Sequence, residues 1–258
     1  MKQILSVFLL LASIFVLGQN GYSQNPDDVV RLVTVEFAPY EFEEQENGVK
    51  IIKGIQVDMV KRMCELAGLQ YSLKLLPFKR AYEEALSLKQ DCIFNFYKNP
   101  ERLSLFDYTD PLLNNPLVIF VKKGEETKIR FTGKVEELKG FQIGVMLGYT
   151  YSPDFDEAIK NNVITVDPVS SHVINFQKLS HKRIDMYICE QNVGLYTAKK
   201  IGVAEQIAFL ETPFKIQQGY LGIAKNNPKK AIIGKLNAAL KQIKDSGEYS
   251  SFFDKYLK

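Results

Sequence analysis

Three stretches of the chain concentrate side chains that could hold a small charged molecule. The first is Glu36-Phe37-Ala38-Pro39-Tyr40-Glu41-Phe42, a turn dense in aromatic rings. The second, Asn95-Phe96-Tyr97-Lys98-Asn99-Pro100-Glu101-Arg102, ends in an arginine whose planar guanidinium can grip a carboxylate through two parallel hydrogen bonds. The third, Gly148-Tyr149-Thr150-Tyr151-Ser152, offers hydroxyls and free backbone N–H groups where a helix begins, an arrangement able to receive an anion. Each also has a plainer reading: a hydrophobic plug, a surface arginine at a helix start, an ordinary N-cap. Covalent and metal chemistry have less to work with. Gly-x-Ser-x-Gly and the glycine-rich phosphate loops are absent. His172 and His181 stand outside any triad context and read as surface or helix residues. Together with Cys64, Cys92 and Cys189 they give no zinc-ligand spacing, so neither a metal nor a cofactor is expected.

The elements that must carry these stretches alternate between strand and helix. Residues 29–35 have strand character, and 54–67 place Ile55, Met59, Val60, Met63, Leu66 and Ala67 on one helical face with Gly68 as the stop. A strand at 69–76, a helix opened by Pro77 and a strand at 92–96 follow. The pattern resumes with strands at 141–146, 163–166 and 184–189 and helices after Tyr151 and near 170–181, and two helices close the chain over 228–246 and 248–257. Such alternation predicts an α/β fold with largely parallel sheets. Each candidate stretch then falls just beyond a strand, where α/β folds open their ligand crevices.

The N-terminus bears on the compartment. Lys2 precedes Ile4 to Leu17, apolar apart from Ser6 and Ser13, and then the turn-prone Gly18 to Ser23. Residues 1–23 read as a secretory signal peptide, cleaved after Gly18 or Ser23. As an uncleaved anchor the fourteen residues would span only about 21 Å of a hydrocarbon core of roughly 30 Å. The expected location is the periplasm. The 33 Lys+Arg against 30 Asp+Glu leave a net charge of +3 without a basic stripe, which argues against nucleic acid as a partner. Three cysteines leave at least one thiol free, and the sequence leaves open whether Cys92 and Cys189 pair.

Taken in order, these stretches resemble the periplasmic solute-binding proteins of polar-amino-acid ABC transporters, the family 3 type. The likeness runs through Pro39 to Phe42, Gly54 to Met59, Asp91, Pro100 to Arg102, Phe106 to Pro111, Gly144 to Tyr151, Arg183 to Asp185, Gly247 to Ser250 and Tyr256. It implies a type II two-lobed periplasmic-binding-protein fold, with two α/β lobes joined by two crossover strands and a ligand held between them. Lobe one would span 25–111 and 221–258 and lobe two 117–215, with crossovers near 112–116 and 216–220. The resemblance implies that Arg102 grips the ligand's α-carboxylate, helped by backbone around Asn95, Phe96 and Tyr97 and by the turn at Thr150 and Tyr151. Glu190 stands where the family has an aspartate for the α-amino group, one methylene longer. Phe37, Tyr40 and Phe78 match rings that wall the side-chain pocket, and Lys79 and Arg80 beside Phe78 add positive charge. Asn95 to Lys98 is bulkier than the family's threonine-bearing stretch, which points to an unusual ligand.

The implied function is capture of a small zwitterionic ligand, an amino acid foremost, by a monomer that presents it to the membrane subunits of an ABC permease, without catalysis. Two alternatives share the scaffold. One is an enzyme resembling the cyclohexadienyl dehydratases, for which Glu190 is the general acid that can be named. The other is a ligand sensor feeding a membrane receptor.

Overall fold

Val30–Thr34 (β1) is almost wholly buried, as a strand covered on both faces must be. It pairs in parallel with Tyr71–Leu75 (β4) on one side and Cys92–Phe96 (β5) on the other. This computed structural model describes residues 28–149 and 151–258. The signal-peptide segment 1–23 and Thr150 therefore lie outside the described residues, within which no helix is long and apolar enough to cross a membrane. Between β1 and β4 come a hairpin, Phe42–Glu46 (β2) with Val49–Lys53 (β3), and the helix Ile55–Leu66 (α1). The hairpin turns on Asn47 and Gly48, both at positive φ, the pair favoured for a two-residue turn. Phe78–Leu86 (α2) links β4 to β5, and the short helix Pro100–Leu105 (α3) follows β5. Phe106–Tyr108 (β6) comes next in the chain.

A ten-residue strand, Leu113–Lys122 (β7), carries the chain into a second group of elements. These are Gln142–Met146 (β8), Pro153–Lys160 (α4), Thr165–Val169 (β9), His172–Ser180 (α5), Met186–Glu190 (β10), Gln191–Lys200 (α6) and Ile207–Phe209 (β11). Here β8 pairs in parallel with β9 and β10, while β10 and β11 run antiparallel to β7. A second ten-residue strand, Lys215–Ala224 (β12), returns to the first group. Its first half pairs with the first half of β7, Lys215 opposite Leu117 through Gly219 opposite Leu113, and its second half pairs with β5 and β6. Ile232–Asp245 (α7) and Glu248–Leu257 (α8) end the chain against α1. The result is two α/β lobes joined by two antiparallel crossover strands, the type II arrangement.

Asp91, at the start of β5, knits lobe one together. It accepts from Arg31 Nε at 3.0 Å, Arg31 Nη2 at 2.7 Å and Lys229 Nζ at 3.2 Å. Burial alone would raise its pKa, but these donors and the Arg31 backbone N–H hold it down to about 2. Cys64, Cys92 and Cys189 are all free and buried, and the last two stand in different lobes.

Candidate functional site

Between the lobes lies a cleft of about 810 Å³ whose wall includes Glu36, Phe37, Phe78, Asn95, Tyr97, Lys98 and Arg102 from one side and Tyr149, Tyr151, His172, Cys189 and Glu190 from the other. Backbone geometry delivers the first set. Gly54 adopts φ +136°, and a Cβ there would overlap the Tyr40 carbonyl. With only hydrogen at that position, Ile55 N–H reaches the Pro39 carbonyl at 3.0 Å and Gln56 N–H the Tyr40 carbonyl at 3.1 Å, which seats the Phe37–Tyr40 turn on the start of α1.

Arg102 is placed by α3. Asn99 caps this helix, its Oδ1 accepting from the Arg102 N–H at 2.7 Å, and Pro100 fills the first turn. The guanidinium is bracketed by Phe96 at 4.7 Å, Phe78 at 4.9 Å and Tyr82 at 5.9 Å from the ring centroids. Nη1 donates to the Tyr97 carbonyl at 2.9 Å. An arginine has five N–H donors, so most of the fork remains for a ligand. Lys98, part of the second candidate stretch but given no role of its own there, is a further cation lining the cleft, with Nζ 3.8 Å from the Tyr220 ring centroid.

Glu190 ends β10 and caps α6, with Oε2 accepting from Val193 N–H at 2.8 Å. Its other oxygen accepts from the Tyr40 hydroxyl of the opposite lobe at 2.9 Å, and Asn192 Nδ2 donates to that hydroxyl at 2.7 Å. Burial pushes the Glu190 pKa up to about 7, against the pull of the N–H and O–H donors. The Asn192 backbone N–H also bears on the carboxylate, so two to three of its roughly four acceptor positions are occupied.

The remaining expected residues are distributed unevenly. Phe37, Phe78, Asn95, Tyr97 and Tyr151 line the cleft, and Thr150 lies outside the described residues. Tyr40, expected at the pocket wall, is instead wholly buried behind it, because its hydroxyl is drawn to Glu190. Phe96 is buried too, 5.0 Å edge-on from Phe106 and stacked 5.7 Å from Tyr108, so it backs Arg102 rather than facing the cleft. Arg80 points away on the exposed face of α2 and pairs with Glu84 at 2.8 Å. Asn95 adopts φ +55° and donates through Nδ2 to Glu41 at 3.0 Å. Glu41 is wholly buried, which raises its pKa well above the usual carboxylate range.

His172 is a helix residue, one of the two positions the sequence allows it, but at the first residue of α5 it also stands half-buried in the cleft wall, beside Cys189, a placement the sequence did not suggest. Only the fold brings residues 172 and 189 together, and no motif marks either.

Known proteins share this arrangement. The profile of the bacterial extracellular solute-binding proteins, family 3, matches residues 30–258. A probable histidine-binding protein of Neisseria gonorrhoeae is 23% identical over 235 residues, covering 90% of this chain and 84% of its own. The ABC transporter arginine-binding protein 1 of Escherichia coli K12 is 27% identical over 230 residues, covering 87% of this chain and 88% of its own. In fold, the chain is similar to substrate-binding domain 2 of Lactococcus lactis GlnP in its open conformation, with a TM-score of 0.70 at 22% identity over 90% of this chain and 97% of that one. A match that takes in both lobes and both crossover strands places the chain among the bacterial extracellular solute-binding proteins, family 3.

Proposed function

We propose that the cleft captures a small zwitterion, an amino acid foremost, for an ABC permease. The observation that carries this is the meeting in one cleft of an arginine fork from one lobe and a carboxylate from the other. A zwitterion presents the complementary pair of charges, and only one that reaches both lobes draws them together by hinge closure. Arg102 takes the α-carboxylate. Glu190 takes the ammonium on its free acceptor positions while Tyr40 and Val193 hold it still. Phe37 and Phe78 wall the side chain, and Asn95, Tyr97 and Tyr151 complete the polar rim. The pairing of residues 113–117 with 215–219 supports lobe boundaries at 25–111 with 221–258 and at 117–215. The histidine- and arginine-binding relatives support an amino acid as ligand and transport rather than catalysis as the task. The protein would work as a monomer in the periplasm after removal of its leader.

Isothermal calorimetry with the common amino acids tests this reading. At least one should bind, and Arg102→Ala should weaken it by about 2–5 kcal/mol, as expected when a desolvated charge loses its partner. Equal affinity in the variant would remove Arg102 from the role. The elevated Glu190 pKa also suits a general acid, the dehydratase-like reading, and turnover of prephenate or arogenate to an aromatic product would favour that instead.

A further inference from the structure

His172 Nδ1 lies 2.5 Å from the hydroxyl of Tyr187, and Cys189 Sγ lies 3.5 Å from the same nitrogen. Tyr187 is wholly buried, and burial pushes its phenol pKa far up, so the phenol keeps its proton. One of the two groups must donate in so short a contact. The Asn175 amide also reaches the phenol, but as a donor, with its Nδ2 held on the Val145 carbonyl, so a phenol O–H pointing at the Nδ1 lone pair satisfies both groups, whereas a proton on Nδ1 would leave the phenol proton to a thiol sulfur, a weak acceptor. The imidazole proton therefore sits on Nε2. Burial also lowers the His172 pKa, which favours the neutral ring. Nε2 has no partner among the described residues, and the ring lines the cleft.

We infer that His172 makes the lobe-two wall a hydrogen-bond-donating subsite, which takes a ligand side chain carrying a lone pair, such as an imidazole, amide or carboxylate. Guanidinium and ammonium groups only donate, so they leave the Nε2–H unpaired when the cleft closes. Glu36, the acidic residue that lines the cleft from lobe one, is exposed, and its attraction for a cationic side chain is screened by solvent and salt. The inference rests on the amino-acid reading of the cleft and narrows it to one side of the pair of specificities seen among the relatives.

Calorimetry on the full-length chain, comparing histidine, glutamine and glutamate with arginine and lysine, provides the test. An acceptor-bearing ligand should bind about tenfold or more tighter than either cationic one. His172→Phe keeps a ring without the donor and should narrow that ratio to about threefold or less, and His172→Gln should restore part of it. Preference for arginine or lysine, or a ratio unmoved in His172→Phe, overturns the subsite while leaving the amino-acid reading in place. Failure of every amino acid to bind overturns both. Nitrogen-15 NMR of the unsubstituted protein gives a readout independent of variant folding: the imidazole proton is expected on Nε2, and a proton on Nδ1 overturns the inference.

Discussion

At neutral pH Glu190 stands near the middle of its own titration, since burial has raised its pKa from 4.5 to about 7. Between those values the folded chain holds a proton that the unfolded chain has released, so stability falls as pH rises through this window. Ammonium binding follows the opposite slope because it requires the carboxylate. Affinity for an amino acid should rise about tenfold between pH 6 and 8, measured by calorimetry in buffers of differing ionisation heat, with a proton released on binding. Tyr40→Phe removes an O–H donor that favours the charged form and should move the midpoint of this profile to higher pH. A flat profile would show that Glu190 does not meet the ligand's charge. Residue type marked Arg102 as a candidate, and Glu190 entered only through the family resemblance. The burial of Tyr40 and the placing of His172 were not legible, because each depends on which strand end another segment packs against.

The elements were more readable. The apolar spacing that predicts a helix over 54–67 is realised as α1, and Gly54, Pro77, Ser152 and Gly247 stand at or beside helix starts. The β2–β3 hairpin carried a signal in Asn47-Gly48, between runs that the polar residues 43–46 disguised as loop. The strand expected at 163–166 lies at 165–169, and β7 and β12 have no periodicity of their own that tells a crossover from an ordinary strand. Among these elements the junction of turn and α1 is the one most exposed to a single substitution. Gly54→Ala places a methyl where the Tyr40 carbonyl is and forces an alanine to φ +136°, so a loss of about 1–3 kcal/mol is expected in a urea melt. Ligand affinity should fall with it, since Phe37 rides on that turn. An alanine variant of unchanged midpoint would mean the turn can be seated another way.

Over the whole molecule, one buried apolar cluster crosses between the lobes, taking in Leu32, Met59 and Leu240 from lobe one and Phe120, Phe176 and Tyr187 from lobe two. Behind the cleft α6 packs against α8, and Lys199 Nζ donates to the carbonyl of Lys258 at 2.6 Å. A shared core predicts one cooperative urea transition for both lobes rather than two. Deleting residues 248–258 strips Phe252 and the Tyr256 hydroxyl from α1 and should lower that transition by roughly 3 kcal/mol or more, followed by tyrosine fluorescence and circular dichroism. Separate transitions for the two probes would show the lobes to be independent. The route of β12 has a consequence in time as well as in space. Its second half is the neighbour of β5, more than a hundred residues upstream, so the sheet of lobe one stays open along that edge until the last forty or so residues have been made. Pairing across so long a separation is a high-contact-order step, so closure of the lobe-one sheet is expected to be slower than formation of its local β1–α1–β4 units.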